Sequence, residues 1–451
     1  MPTPYIHMVQ YRMGIQFQRT LLLPMLLVAL VASVSAAPAS ADDGSSLASE
    51  AARVGVPGGV VAHLERGRVT HVEAFGRADP TDRFLLGSVS KPIAAAVAQD
   101  LADAGRLDLG RPVGESVRGG PDAPARSLLD HTAGLDFGAD VLDVDRPGTT
   151  ATRLLAELPP PALSAAGTHH YSSLGYVYLQ ALIEQASGTD YGTALRHAVP
   201  STRIGASARE CGDLATPHRF VGPWAVAQPG PYDGAGVAYG YTCGSIEDLA
   251  RFAERHLADP TLADPTPTGR AGTTYADGWR LTTEADGGLT HWHTGTVPGY
   301  FSGVFLDPAG GRGAVVLLSA SGFLHEEQLA ALVRNEYDRV TVRRVTPVPA
   351  APWAVAPVVA CLAGALLLIL SLSRRSTRRG RHRVLAWGTL GLAMLGIVAV
   401  LMLAGPYPPR YVWLWEPGFA VAWGLTILAA AVGVATSLRG RDDPTSSTDV
   451  G

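Results

Sequence analysis

Between residues 42 and 345, strand-like alternation is confined to the two ends of the segment, and helix-like periodicity fills the middle. This distribution constrains the fold more than any other feature of the chain. At the first end, Val56–Leu64 and Arg68–Gly76 flank the turn Glu65-Arg66-Gly67 and read as a β-hairpin. At the other end, Trp279–Leu281, His291–Thr296, Ser302–Leu306 and Gly313–Leu318 read as strands, the last of them central, and a helix from Glu326 to Tyr337 closes the segment. In between, Ile93, Ala94, Val97, Ala98 and Leu101 mark one helix face, with a stop at Gly105. Ser127–Leu135 reads as a short helix ending in a glycine turn, and residues 169–187 as a longer helix. Ser245–Phe252 starts another, with Ser245 as N-cap and Asp248 at the capping-box position. Residues 189–240 are poorly patterned. A sheet whose strands come from both ends of a segment leaves the middle as an insertion. The expected class is therefore α/β (α+β), with two subdomains: an antiparallel sheet flanked by helices, and an inserted helical region.

The flanks differ in composition. In residues 1–41, Arg12 and Arg19 precede an apolar run from Leu21 to Ala36, followed by small residues suited to cleavage, which reads as a secretory signal peptide. An uncleaved anchor is the alternative. After a Pro/Ala linker (346–351) come three apolar stretches, about 352–373, 384–404 and 418–438, each of the length a bilayer asks of a helix. Arg374, Arg375, Arg378, Arg379, Arg381 and Arg383 lie between the first two, and Arg439 and Arg441 follow the third. The loop 405–417 carries Tyr407, Tyr411, Trp413 and Trp415. The expectation is three membrane spans through 441, an extracytoplasmic domain at 42–345 and a cytoplasmic tail at 442–451, hence a multi-pass protein of the bacterial cell membrane. The net charge of −4 gives no sign of a nucleic-acid partner. Of the three cysteines, Cys211 and Cys243 fall in the segment expected outside the membrane. Export permits a disulfide between them, and two free thiols are the alternative. No metal-ligand spacing is present: the adjacent His169 and His170 point apart on a helix or strand, so neither metal nor cofactor is expected.

Lys91 is the only lysine in the chain. Every other basic residue in the Lys+Arg total is arginine, which keeps the charge but stays protonated, whereas a buried ammonium can release its proton and act as a base. Ser88 lies three residues earlier, one helical turn away. Pro92 is tolerated only in a first turn, so the helix is expected to begin near Ser88, with the hydroxyl and the amine at its positive end. His131, in the glycine turn, is read as structural rather than catalytic.

Three ordered elements resemble those of the serine β-lactamase and penicillin-binding superfamily, most nearly its class C β-lactamase, D-alanyl peptidase and esterase branch. They are Gly87-Ser88-Val89-Ser90-Lys91, then Tyr171-Ser172-Ser173 in place of Tyr-x-Asn, then His293-Thr294-Gly295 in place of Lys-Thr-Gly. The resemblance covers about residues 48–340. It implies Ser88 as nucleophile, with Lys91 and Tyr171 sharing proton transfer. It also implies an oxyanion hole from the backbone N–H groups of Ser88 and Thr296, and substrate contacts at Ser173, His293, Thr294 and Gly295. Two departures stand out. Ser173 replaces an amide-binding asparagine, and His293 replaces a carboxylate-attracting lysine. Both shift the expectation from β-lactams toward D-alanyl peptides or esters of the cell envelope. The alternatives are a non-hydrolytic penicillin- or peptidoglycan-binding receptor, a membrane-complex subunit and a β-lactamase.

Overall fold

A computed structural model describes residues 46–355, 409–418, 420, 421, 424 and 428. The chain divides into two compact units. Among the described residues, one comprises 46–219 and 225–349, and the other comprises 220–224, 350–355 and the described residues from 409 onward.

In the larger unit, helix α1 (Leu47–Val54) leads into strands β1 (Gly58–Glu65) and β2 (Arg68–Gly76). Their link, Arg66-Gly67, has φ of 52° and 72°, and positive φ at both central residues is what a tight hairpin requires. After β3 (Phe84–Leu85) come α2 (Ser90–Asp103), α3 (Arg126–Leu129), α4 (Ala151–Glu157), α5 (Ser173–Ser187) and α6 (Tyr191–Ala198). Next in order are β4 (His218–Val221), β5 (Trp224–Ala227), a π-helical turn (Val237–Tyr241), β6 (Cys243–Gly244) and α7 (Ile246–Ala258). Strands β7 (Thr266–Pro267), β8 (Thr273–Ala276), β9 (Trp279–Thr283), β10 (Leu289–Val297), β11 (Tyr300–Asp307), β12 (Arg312–Leu318) and β13 (Ala320–Ser321) precede α8 (Glu326–Val340).

The main sheet runs β2-β1-β12-β11-β10-β9-β8-β7, and its neighbours pair antiparallel. Strands from both ends of the segment thus meet at β1 and β12, as the alternation implies. Successive side chains of a strand point to opposite faces. Val60, Ala62, Leu64, Val304, Leu306, Val315 and Leu317 enter one core together with Leu249 and Phe252 of α7 and the apolar faces of α2 and α5. The opposite face meets α8, where Phe305 contacts Tyr337, and a Cβ on Gly303 would collide with Val333. Each fully buried aliphatic or aromatic side chain contributes about 1.5–3 kcal/mol, so these two faces fix the sheet between its helices. The capping box at Ser245 and Asp248 is present. Residues 189–240, poorly patterned in sequence, hold α6, two short strands and the π-helical turn.

The expectation of three membrane helices requires correction, and with it the multi-pass membrane localisation. Among the described residues no helix is long and apolar enough to cross a membrane. Nearly all of 352–373, 384–404 and 418–438 lies outside the described residues, as does the expected signal peptide at 1–41. The expected interfacial loop contains helix α9 (Pro409–Trp415), of seven residues. At 1.5 Å per residue this rises about 10 Å, a third of a bilayer core. Apolar composition over twenty residues states what a helix would need, not that a continuous helix forms. Within α9, Tyr411 and Trp415 are buried, with their rings 5.7 Å apart.

Candidate active site

Ser88 stands in a 3-10 turn, Gly87–Val89, one step ahead of the α-helix that begins at Ser90. The helix therefore starts two residues later than Pro92 alone suggested, and the proline still falls in its first turn, where its missing N–H is harmless. Gly87 shapes the turn: its φ is +53°, and a Cβ there would run into Thr296 N and lie 2.5 Å from Gly295 C. From the other side, a Cβ on Gly295 would strike Leu86 O and lie 2.7 Å from Ser88 N. Two glycines thus let the Ser88 turn and β10 touch backbone to backbone, bringing the N–H groups of Ser88 and Thr296 to one seam. Ser302 Oγ donates to Leu86 O at 2.6 Å and fastens the turn to β11. Leu86 N–H donates to Thr242 O at 2.9 Å, and the hydroxyls of Ser90 and Thr242 lie 2.6 Å apart. Thr242 precedes Cys243, which is disulfide-bonded to Cys211.

Lys91 is fully buried. Its Nζ lies 2.9 Å from Ser88 Oγ, 3.2 Å from Ser173 Oγ and 2.9 Å from Tyr239 O. All three partners are neutral. Burial first, and then the Arg280 charge, hold the amine's pKa well below the ordinary lysine value; Asp143 pulls the other way. Tyr171 is partly buried and hydrogen-bonded to Ser88 through its hydroxyl. Burial raises its pKa, opposed by Arg280 and by the Ser88 bond. Its ring centre is 5.0 Å from Lys91 Nζ. The chain delivers Tyr171 immediately before α5, whose N-cap Ser172 accepts from Gly175 N–H at 2.9 Å. Ser173 in the first turn is buried and turned toward Lys91.

His293 is 1 % exposed. Its ring nitrogens lie 3.0 Å from Tyr275 Oη and 2.6 Å from Thr294 O. Burial, then Arg280 and Lys91, push its pKa well down, so the imidazole is neutral. Strand β10 pairs with β9 only over Leu289–Trp292, so His293–Val297 pair with β11 alone. The other edge of that segment, with the half-buried Thr294 and Thr296, runs beside Ser88. His131 sits in the left-handed region at φ +62°, and its Nδ1 accepts from Ser172 N–H at 3.1 Å. Its buried ring packs 4.4 Å from Tyr171 and 4.7 Å from Tyr275, and supports the tyrosine that touches Ser88.

Arg280 is a residue that motif reading passes over. It lies on β9 opposite Tyr275 and Trp292. Its guanidinium carbon is 5.0 Å from the Tyr171 ring centre, 5.5 Å from Trp292 and 5.6 Å from Tyr275. Among the described residues its guanidinium has no hydrogen bond and no ion pair. A partly exposed cation over aromatic faces, beside Tyr171, is placed to meet an anion. The one signal in the sequence is a charge between Trp279 and Leu281 in a short strand.

Comparison with known proteins agrees with this geometry. The family model described as Beta-lactamase matches residues 46–338, well over half of the chain. Penicillin-binding protein 4 of Amycolatopsis lactamdurans is 26 % identical over 333 residues, covering 62 % of this chain and 83 % of that one. Among solved structures, the octameric penicillin-binding protein homologue from Pyrococcus abyssi superposes with a TM-score of 0.58 at 19 % identity, over 71 % of this chain and 79 % of that one. The D-amino acid amidase from Ochrobactrum anthropi SV3 does so with a TM-score of 0.52 at 18 % identity, over 61 % and 89 %. These structural likenesses concern the fold; the family match concerns the chain itself. The chain belongs to the Beta-lactamase family and is a serine hydrolase.

Proposed function

We propose that this enzyme works through an acyl-enzyme on Ser88 and that it acts on small acyl compounds carrying a carboxylate, with D-alanyl peptides as the leading class and esters as the second. The observation that carries the reading is the buried Lys91 amine, 2.9 Å from Ser88 Oγ and surrounded by neutral partners. At neutral pH the amine is the better base of the two candidates. Burial drives Lys91 toward its neutral form and Tyr171 also toward its neutral, protonated form. Ser88 O–H then gives its proton to Lys91 Nζ as Oγ attacks the carbonyl carbon. The oxyanion is received by the N–H groups of Ser88 and Thr296, each worth on the order of 3 kcal/mol. The bond to the leaving group breaks as Tyr171 gives its proton to the departing nitrogen or oxygen and is reprotonated through Lys91. Water attacks the ester by the reverse route and frees Ser88.

In this reading the substrate carboxylate goes to Arg280. His293 is enclosed by Tyr275 and Thr294 and is neutral, so it acts by holding β10 rather than by attracting charge. Thr294 and Gly295 offer the free strand edge, and Ser173 contacts Lys91 in place of a substrate amide.

The test uses the full chain. A fluorophosphonate and a fluorescent penicillin are each expected to leave an adduct on Ser88, read by peptide mass spectrometry and absent from Ser88→Ala. Absence of a Ser88 adduct with both probes overturns the reading. Arg280→Gln is expected to raise KM at least about tenfold for a D-alanyl peptide with a free carboxylate, from the 1.5–3 kcal/mol of a charged hydrogen bond. Its C-terminal amide should be spared. An equal effect on both substrates removes Arg280 from carboxylate recognition.

A further inference from the structure

Behind Lys91 lies an array of buried polar groups that the acyl-transfer steps do not use. Tyr239 belongs to the π-helical turn Val237–Tyr241, and its two ends face different ways. Its carbonyl accepts from Lys91 Nζ at 2.9 Å. Its phenol oxygen accepts from the Asp143 backbone N–H at 2.8 Å and donates to the Asp233 carboxylate at 2.9 Å, with an Asp143 carboxylate oxygen 3.3 Å away. Tyr241 donates to the same Asp143 oxygen at 2.8 Å. Asp233 is fully buried and held on both oxygens by Arg146 at 2.7 Å. Asp143 sits at φ +55°, a conformation a non-glycine residue keeps only when its surroundings hold it there.

The turn itself has little freedom. Gln180 Oε1 on α5 accepts from Ala238 N–H at 3.2 Å. A Cβ on Gly236 would strike the Tyr239 ring, and one on Gly240 would lie 3.2 Å from Val297 of β10 and 3.8 Å from Gly87 of the Ser88 turn. A single π turn is a costly local irregularity, and such turns are frequent at functional sites. Here it aims one carbonyl at one amine.

We propose that Tyr239 is a positioning residue for Lys91, its carbonyl held on the amine because its phenol is fixed by the buried Asp143 and Asp233, the latter clamped by Arg146. The proposal rests on the reading of Lys91 as the base for Ser88. The titratable and charged groups around Lys91 come from every neighbouring element: Tyr171 and Tyr176 beside and within α5, Tyr239 on the π turn, Arg280 on β9, His293 on β10, His131 after α3 and Asp143 behind. Of these, Asp143 favours the protonated amine, and Arg280 the neutral one.

The experiment measures kcat, KM and the pH dependence of kcat/KM for the full chain with p-nitrophenyl acetate. Tyr239→Phe keeps the ring and the carbonyl but drops the phenol bonds; kcat is expected to fall about tenfold with KM within about twofold. Asp143→Asn weakens the acceptor that the Tyr239 and Tyr241 phenols face, so kcat is expected to fall as in Tyr239→Phe; because Asp143 favours the protonated amine, the acid limb of kcat/KM is expected to move to lower pH. Tyr178→Phe, which loses a buried bond to Gly119 O far from Lys91, serves as the fold control and keeps the wild-type profile. A folded Tyr239→Phe with wild-type kcat overturns the positioning role, as does a folded Asp143→Asn with wild-type kcat. Should Asp143→Asn fail to fold, Tyr239→Phe decides alone. Failure of the underlying reading is distinguishable, because folded Lys91→Met would then hydrolyse the ester at the wild-type rate.

Discussion

Lys91→Arg is expected to reduce acylation of Ser88 at least about a thousandfold, the range a positioned general base contributes and about 4 kcal/mol of barrier. The cause is protonation, not charge pattern. A guanidinium stays protonated at any pH the fold survives, so it cannot take the Ser88 proton. It would also bring a permanent charge into a site of no exposure whose three partners are neutral. That second effect threatens folding, so Lys91→Met is the companion variant, with similar length and no charge. Wild-type labelling by a fluorophosphonate should rise with pH through an ionisation well below that of an ordinary lysine, because the neutral amine is the active form. Lys91→Met should be folded by thermal melting, slow at every pH and without that rise. Labelling of folded Lys91→Met at the wild-type rate would show that Lys91 is not the base.

Gly295→Ala is the second large effect. Its new Cβ would collide with Leu86 O and lie 2.6 Å from Ser302 Oγ and 2.7 Å from Ser88 N. Two of these are backbone atoms, and the serine hydroxyl is itself bonded to Leu86 O, so no flexible side-chain end can yield. Strand β10 must draw back from the Ser88 turn, carrying Thr296 N–H out of line with Ser88 N–H. Loss of one oxyanion donor costs about 10²–10³ in kcat. The measurement is kcat and KM on p-nitrophenyl acetate, with Gly148→Ala as a neutral comparison, since nothing lies within 4 Å of a Cβ there. An unchanged kcat in Gly295→Ala would mean that the seam does not hold the oxyanion.

Much of the site was legible because local rules govern it. Ser88 and Lys91 meet through helical spacing alone, and Pro92 located the helix start to within two residues. The hairpin around Arg66-Gly67, the central β12 and the capping box at Ser245 follow from periodicity and turn chemistry. Arg280 and Tyr239 were not legible, and the reason is long range. Tyr239 acts through its backbone carbonyl, which every residue type possesses, and its position depends on a π turn in a stretch with no pattern. Arg280 becomes a site residue only because β9 places it over Tyr171, more than a hundred residues away in the chain. The motif position of His293 implies a substrate contact; that its ring is buried between Tyr275 and Thr294 is a matter of packing the motif does not carry. Among the described residues no helix is long and apolar enough to cross a membrane, and nearly all of the apolar C-terminal stretches lies outside those residues.

By itself, then, the amino-acid order determined the class of fold, the serine–lysine turn and the order of its partner segments, because each depends on contacts within a few residues or on a repeating pattern. Only the tertiary structure decided that, among the described residues, Lys91 has no charged group within hydrogen-bonding reach and the Arg280 guanidinium, over Tyr171, has no ion pair, and that Gly87 and Gly295 touch. Those are matters of burial and distance between segments far apart in the chain. The Ser88–Lys91 turn is thereby sharpened, from a serine near a lysine to a hydroxyl held 2.9 Å from a buried amine whose pKa lies well below the ordinary lysine value.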